Sequence, residues 1–144
     1  MSTAPDKRPD AIDTTVQKTY RWLRELAAEL GGVSREEAYD VLRAFLHTLR
    51  DRLTVEEAAD LGAQLPMLIR GLYYEGWNPH SVPIKMKATE FLALFAALAG
   101  YPIDASSRDA LKAANRILWR HISGGEAIDV WNSLPRDIRG LLGD

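Results

Sequence analysis

The chain repeats part of its sequence at a distance of 69 residues. The segment LPMLIRGL at positions 65–72 returns as LPRDIRGL at positions 134–141. In the longer windows 54–72 and 123–141, nine of nineteen aligned positions carry the same residue, whereas composition alone predicts roughly one or two. Leu23 with Leu92 and Gly31 with Gly100 keep the same register upstream. These matches predict a duplicated unit, at residues 14–75 and 83–144, joined by a linker at residues 76–82.

Start and stop signals divide each copy into four helices. In the first copy these signals are a cap at Asp13 or Thr14, a stop at Gly31-Gly32, capping boxes at Ser34-x-x-Glu37 and Thr54-x-x-Glu57, and Pro66 opening the last helix. Between them, apolar residues recur every three or four positions, which indicates one buried face per helix. On the first helix that face is expected to hold Val16, Tyr20, Leu23, Ala27 and Leu30.

The second copy repeats these signals. They are Gly100 as a stop, Ser106-x-x-Asp109 and Ser123-x-x-Glu126 as starts, and Leu134-Pro135 as a corner between helices. No segment alternates apolar and polar residues over the length of a strand. We therefore predict an all-α fold of about eight helices. A unit of sixty residues is marginally stable alone, so the two repeats are expected to pack with pseudo-twofold symmetry into one domain, residues 14–144, after a flexible segment at residues 1–13.

Composition excludes several classes of protein. The 144 residues carry a net charge of −2 and no long run of either sign, which argues against a general nucleic-acid binder. The absence of cysteine excludes disulfides, thiolate nucleophiles and cysteine-ligated zinc. The sequence has neither an apolar signal-peptide core at its start nor a membrane-length apolar segment. A cytoplasmic protein without a membrane span is expected.

One acidic and one basic position recur in the duplicated segment, as Asp60 with Asp129 and Arg70 with Arg139. Two structural roles are open for each arginine, namely an ion pair with the aspartate of its own copy or a cap on the carbonyls of the helix corner. A pair of symmetric anion sites is the functional alternative.

The densest aromatic cluster is Tyr73, Tyr74 and Trp77, which has no counterpart in the second copy. This asymmetry leaves two roles open. The cluster either forms a wedge between the two copies or binds a partner protein, because tyrosine and tryptophan are frequent at interface hot spots.

Other polar groups carry no motif of known mechanism. Lys85 and Lys87 with Arg21 and Arg24 form a basic face only if they meet on one surface, and acidic residues lie among them in sequence. The histidines at 47, 80 and 121 lack metal-ligand spacing, and two of them have arginine as their repeat partner, which indicates surface positions. We predict no catalytic, cofactor-binding or metal-binding residues.

The segments RLTVEEAADLGAQLP, LIRGLYYEGWNP, FLALFAALAG and EAIDVWNSLPRDIRGLL resemble the bacterial proteins grouped as domain of unknown function 2267. The resemblance extends over nearly the whole chain from about Val16. The linker NPHSVPIKMK departs from it by having fewer basic residues than are usual in that family. The resemblance implies a two-repeat helical fold in a soluble bacterial protein with no assigned activity.

These observations favour a non-enzymatic helical module that acts through protein–protein contacts, with the aromatic cluster as its contact surface and a homodimer as one form of the assembly. The alternative is a DNA-binding regulator that uses the duplicated helix corner, although nucleic acid is the less expected partner. An enzyme with a pocket between the copies is a third hypothesis. No cofactor is expected.

Overall fold

The computed structural model describes residues 7–143 and contains eight helices within that range. They are α1 (Asp10–Glu29), α2 (Arg35–Arg52), α3 (Val55–Ala63), α4 (Met67–Tyr74), α5 (Ala88–Ala99), α6 (Ala105–His121), α7 (Gly124–Ser133) and α8 (Arg136–Leu142). Residues 7–143 contain no strand. The all-α prediction is therefore confirmed.

Helix α2 lies at the centre of the molecule. Ten of its residues are buried, and it packs against α1, α4, α5 and α6. Its Phe45 is fully buried in the same hydrophobic core as Phe91 and Phe95 of α5. The buried residues include every position from Ala44 to Arg50, so this part of α2 is covered on all sides by the surrounding helices.

The bounds of the last three helices follow those of α2, α3 and α4. Shifted by 69 residues, α2 to α4 reproduce the bounds of α6 to α8 to within one residue. Only α5 differs, because it begins nine residues later than a shifted α1. Prolines at positions 79 and 83 occupy the region where the missing turns would lie, and proline disfavours helix for the residue before it.

Several helix starts differ from the sequence prediction. Helix α1 begins at Asp10 after Pro9, so residues 10–13 are helical rather than a flexible segment; residues 1–6 lie outside the described range. Helix α6 is capped by Asp104 and not by Ser106, because the Asp104 carboxylate accepts the Ser106 backbone N–H at 2.8 Å. Each start is displaced toward a residue that supplies a preformed φ or a hydrogen-bond acceptor.

The predicted caps at Ser34, Thr54 and Ser123 are confirmed. Only the Thr54 cap is the complete box, in which the Glu57 carboxylate also accepts the Thr54 N–H at 2.9 Å. The carboxylate of Glu37 instead accepts a hydrogen bond from the Tyr101 hydroxyl at 2.6 Å, and burial together with this bond raises the pKa of Tyr101 to about 12.

The buried face of α1 is rotated from the predicted one. It contains Trp22, Leu23, Leu26 and Ala27, whereas Tyr20 is 46% exposed. The helical period was predicted correctly, but the buried face is centred on Trp22 and Leu26 instead of on Tyr20 and Leu30, because α2 and α6 pack against that side of α1.

Large and small residues change places between the two halves of the chain. Gly62 on α3 lies under the ring of Tyr74, so that a Cβ added at Gly62 would come within 2.8 Å of the tyrosine Cζ. The residues 69 positions further on are Trp131 and Gly143, and here the tryptophan ring lies over the glycine, 3.1 Å from an added Cβ. In each half one aromatic ring therefore covers a glycine. The ring comes from α4 in the first half and from α7 in the second.

Candidate functional site

The predicted aromatic contact surface is largely interior. Tyr73 is fully buried, its hydroxyl donates to the Ala58 carbonyl at 2.8 Å, and burial raises its pKa far above the ordinary range. Tyr74 and Trp77 are partly buried and pack on the core, with ring centroids 5.3 Å apart. The expectation that Tyr73 contacts a partner is wrong, because a fully buried ring cannot reach one without unfolding α4.

The corner arginine Arg70 caps carbonyls. Its Nε donates to the Gly62 carbonyl at 2.9 Å and its Nη2 to the Leu65 carbonyl at 3.0 Å, at the end of α3 where carbonyls have no helical partner. Neither the Asp60–Arg70 pair nor the Asp129–Arg139 pair is formed among the described residues. The ion-pair alternative is therefore wrong at both corners.

The two aspartates lie elsewhere, near Glu126 at the contact between α3 and α7. Burial, followed by the negative charges of Asp60 and Asp129, raises the pKa of Glu126. The side chain of Arg139 forms neither a hydrogen bond nor an ion pair within residues 7–143, so the second corner lacks the cap seen at the first. The position equivalent to Gly62 is Trp131, whose large ring changes the surroundings of that corner.

Two histidines predicted at the surface are in the interior or partly so. His47 is 7% exposed, and its Nε2 donates to the Leu72 carbonyl at 2.7 Å. Burial lowers the pKa of His47. The ring of His121 stacks on Trp22 at 4.8 Å and hydrogen-bonds the Glu25 carboxylate. The surface prediction is wrong for His47, because α4 closes over it.

A buried arginine was missed by the sequence prediction. Arg50 is 4% exposed and its Nη1 donates to the carbonyls of Tyr73 and Glu75, each at 2.8 Å, while its Nε pairs with Asp51 at 2.9 Å. It therefore terminates α4 by satisfying its last carbonyls. The available signal was its place in the apolar stripe of α2, one turn after Leu46 and one before Leu53.

Helices α1 and α6 are joined by a network of charges. Glu29 accepts Arg116 at 3.0 Å and Arg120 at 3.2 Å, and Arg120 also lies 3.8 Å from Glu25. The hydrogen bond from Arg116 is the main cause that lowers the pKa of Glu29. The network ties the first and second halves of the chain together, and it occupies the two acidic side chains in the last turns of α1.

A cavity of about 570 Å³ lies between α1, the α3–α4 corner and the end of α6. We call it the α1 cavity. Its charged and ionisable side chains are Asp10, Lys18, Arg21, Arg70 and His121. Trp22, Leu65, Pro66 and Met67 contribute apolar surface. Lys18, Arg21 and Arg70 against the single carboxylate of Asp10 make its lining positively charged.

A second depression, of about 450 Å³, runs between α1 and α4. We call it the α1–α4 groove. Its exposed apolar side chains are Ile12 (50% exposed), Tyr39 (41%), Met67 (55%) and Leu68 (49%). Large apolar side chains that stay exposed along one depression are typical of a surface that another molecule covers.

The residues proposed for a basic face are dispersed over several elements. Arg21 lines the α1 cavity, Arg24 is exposed on α1, and Lys85 is exposed in the α4–α5 connection. Lys87 precedes α5, where its backbone N–H is bound by Glu90. Residues 7–143 contain no cluster of three or more acidic or histidine side chains able to hold a metal ion. No helix within this range is long and apolar enough to cross a membrane.

No curated protein matches this chain. The profile of the family described as Uncharacterized conserved protein (DUF2267) matches residues 19–141, which is most of the sequence. The match covers part of α1 and all of α2 to α7, and the α1 residues before Thr19 that line both depressions lie outside it. The chain belongs to the DUF2267 family of uncharacterised conserved proteins.

Proposed function

We propose that this protein is a non-enzymatic binding module whose α1–α4 groove takes an amphipathic helix of a partner protein. The observation that carries the proposal is the exposure of four large apolar side chains along the groove, at positions where the other half of the chain has polar residues.

The proposal rests on a relation between the two halves of the chain. We infer that they are copies of one four-helix unit related by a pseudo-twofold axis. The packing pairs support this, because exchanging each helix with its equivalent returns pairs that also exist for every main pair except α3–α4. The pair α2–α5 becomes α6–α1, α2–α4 becomes α6–α8, and α2–α6 and α3–α7 become themselves. Contacts between equivalent elements are typical of a twofold interface.

Equivalent positions then serve as an internal control on the groove. The counterparts of Ile12, Tyr39, Met67 and Leu68 are Ser81, Arg108, Arg136 and Asp137. The fold therefore accepts polar or charged side chains at these places. The apolar residues in the first half are not needed to build the helices. Their presence therefore supports a surface that contacts another molecule.

The form of the groove indicates what occupies it. Ile12 and Val16 are spaced one turn apart on α1, and Leu68 and Leu72 are spaced one turn apart on α4. Two such rows accept the i, i+3, i+4 and i+7 side chains of an inserted helix. Four half-exposed side chains of this size present on the order of 400 Å² of apolar surface. This is short of the roughly 800 Å² per partner in a stable dimer, which favours a helix over a second copy.

The engagement of the ionisable side chains supports a non-enzymatic role. His47 is held by the Leu72 carbonyl, and His121 by Glu25 and the ring of Trp22. Burial raises the pKa of Tyr73 out of the range useful for proton transfer. Each of these groups has a structural partner, whereas a general base is placed against substrate.

The test uses a photoreactive benzoylphenylalanine at position 39, at the edge of the groove, in cells that produce the protein. We expect a crosslink to an apolar helical segment, identified by mass spectrometry. The variant Met67→Arg/Leu68→Asp, which installs the residues of the second half, should reduce the crosslink at least about tenfold, because a charge in the groove is desolvated by the bound helix.

The matched control is Ile103→Asp/Ile128→Arg, which makes the same zero net change of charge at apolar side chains 64% and 60% exposed outside the groove. This variant should crosslink as the unaltered protein does, and circular dichroism should show all variants folded. Equal crosslinking in both double variants, or a crosslinked product that is a second copy of this chain, would overturn the proposal.

A further inference from the structure

We propose that the α1 cavity binds a small organic phosphate. The inference comes from the charge, geometry and size of the cavity. The cavity adjoins the α1–α4 groove, with which it shares Thr15 and Met67, but its ligand is inferred independently of what the groove binds. It assigns to this face of the molecule a ligand class that the family description does not name.

The basic side chains come from three separate elements that converge on one space, and the permanent positive charges are those of Lys18, Arg21 and Arg70. Lys18 and Arg21 project from α1, Arg70 from α4, and His121 from the end of α6. Residues from one exposed helix face spread into solvent, but residues from three packed elements bound a concave site. The guanidinium fork of Arg21 can bind two phosphate oxygens, and Arg70 can add its Nη1 group. Three positive charges suit a dianionic phosphate better than a singly charged carboxylate.

Two of these basic groups are held in place. The Nε and Nη2 atoms of Arg70 are bound to the carbonyls of Gly62 and Leu65. His121 is stacked on Trp22 and hydrogen-bonded to Glu25. A side chain that is already ordered loses less conformational entropy when it binds a ligand.

Nearby carboxylates do not cancel the charge. Glu25 lies one turn after Arg21, but the carboxylates of Glu25 and Glu29 are balanced by the two guanidinium groups of Arg116 and Arg120. Asp10 lines the cavity eight residues before Lys18, which is about 12 Å along a helix.

The counterpart of Arg21 is Glu90, which accepts the Lys87 N–H at the start of α5. The basic residue at position 21 is therefore specific to the first half and is not a requirement of the fold.

The cavity exceeds the space needed by a bare ion. Its volume of about 570 Å³ falls in the range of roughly 300–1,000 Å³ that small-molecule sites occupy. Leu65, Pro66 and Met67 form an apolar wall beside the basic groups. A phosphate ester with a small apolar body fits both parts, with the phosphate at Arg21 and Arg70 and the body against the wall.

The test is a titration of the full chain followed by ¹H–¹⁵N NMR, with inorganic phosphate and with phenyl phosphate as probes at constant ionic strength. We expect saturable shifts confined to the residues that line the cavity, including the side-chain Nε–H of Arg70. Phenyl phosphate should bind at least about threefold more tightly than inorganic phosphate, because its ring buries apolar area.

Matched variants separate a site from general electrostatics. Arg21→Glu should weaken phenyl phosphate binding about tenfold or more, whereas Arg24→Glu, with the same change of charge on α1 but outside the cavity, should weaken it less than about twofold.

Three results would overturn the inference: shifts that do not saturate, equal weakening in the two variants, or equal affinity for the two probes. A duplex DNA oligonucleotide that displaces phenyl phosphate with a steep salt dependence would also overturn it, and would assign the cavity to a nucleic-acid backbone instead.

Discussion

The packing of Tyr74 over Gly62 predicts an unusual response to alanine. In a helix, alanine is more stable than glycine by about 0.5–1 kcal/mol, so Gly62→Ala is favourable as far as the backbone is concerned. The new Cβ, however, meets the tyrosine ring, with Cζ at 2.8 Å and Cε2 at 3.0 Å. The ring has to move, and overpacking of this kind costs about 1–3 kcal/mol.

The ring cannot move freely, because it also packs against Tyr73, with centroids 5.0 Å apart, and against Trp77. We therefore expect a net loss of about 1 kcal/mol in the free energy of unfolding for Gly62→Ala, and a decrease of roughly 3 °C in Tm for a domain of this size. Equilibrium urea unfolding, with an unchanged m-value, is the measurement.

A double-mutant cycle makes the test specific. In a Tyr74→Ala background, Gly62→Ala should become stabilising by about 0.5–1 kcal/mol, which reverses its sign. Gly71→Ala is the matched control, because that glycine is also helical and an added Cβ has no atom within 4 Å. It should stabilise in both backgrounds. The reasoning is refuted if Gly62→Ala stabilises the unaltered protein, or if its cost persists when the tyrosine is absent.

Two further predictions concern the groups that α4 covers. Arg50→Met should lower the free energy of unfolding by about 3 kcal/mol, because the carbonyls of Tyr73 and Glu75 lose their donor; a loss below about 1 kcal/mol in urea unfolding would contradict this. The pKa of His47 is lowered in the folded protein by burial, so the unfolded chain binds the proton first as pH falls. The stability due to neutral His47 is complete above the unfolded value of 6.5 and is lost on acidification through the folded pKa. His47→Gln keeps an N–H donor for Leu72. It should reduce the difference between the free energies of unfolding measured at about pH 7.5 and about pH 5, and an unchanged difference would show that other groups cause it.

Capping and corner positions were predictable because their causes are local. Thr54 and Glu57 satisfy each other across one turn, and Pro66 separates two helices by its own ring and its effect on Leu65. Such interactions extend over three or four residues, so the residue types at that spacing are sufficient to predict them.

The start of α6 shows where local signals fail. Asp104 and Ser106 are both good caps two residues apart, and the choice between them depends on a hydrogen bond from one to the other. Residue types alone do not rank two such neighbours.

Side-chain partners far apart in sequence were not predictable. Arg70 had both an aspartate and a row of carbonyls within reach by sequence, and the carbonyls at the end of α3 bind it. His47 and Arg50 are buried because α4 lies over α2, which places acceptors 25 and 23 residues away against them. A long polar side chain satisfies its donors with whatever group the packing brings near.

The sequence by itself determined the all-α class, the number of helices and their boundaries near caps and prolines, because these depend on short-range backbone chemistry. The tertiary structure alone decided that Tyr73 is interior, that Met67 and Leu68 stay exposed, and that Lys18, Arg21 and Arg70 surround one cavity. The physical reason is that burial and charge convergence are properties of the relative placement of helices, and residues on different helices contribute to each of them.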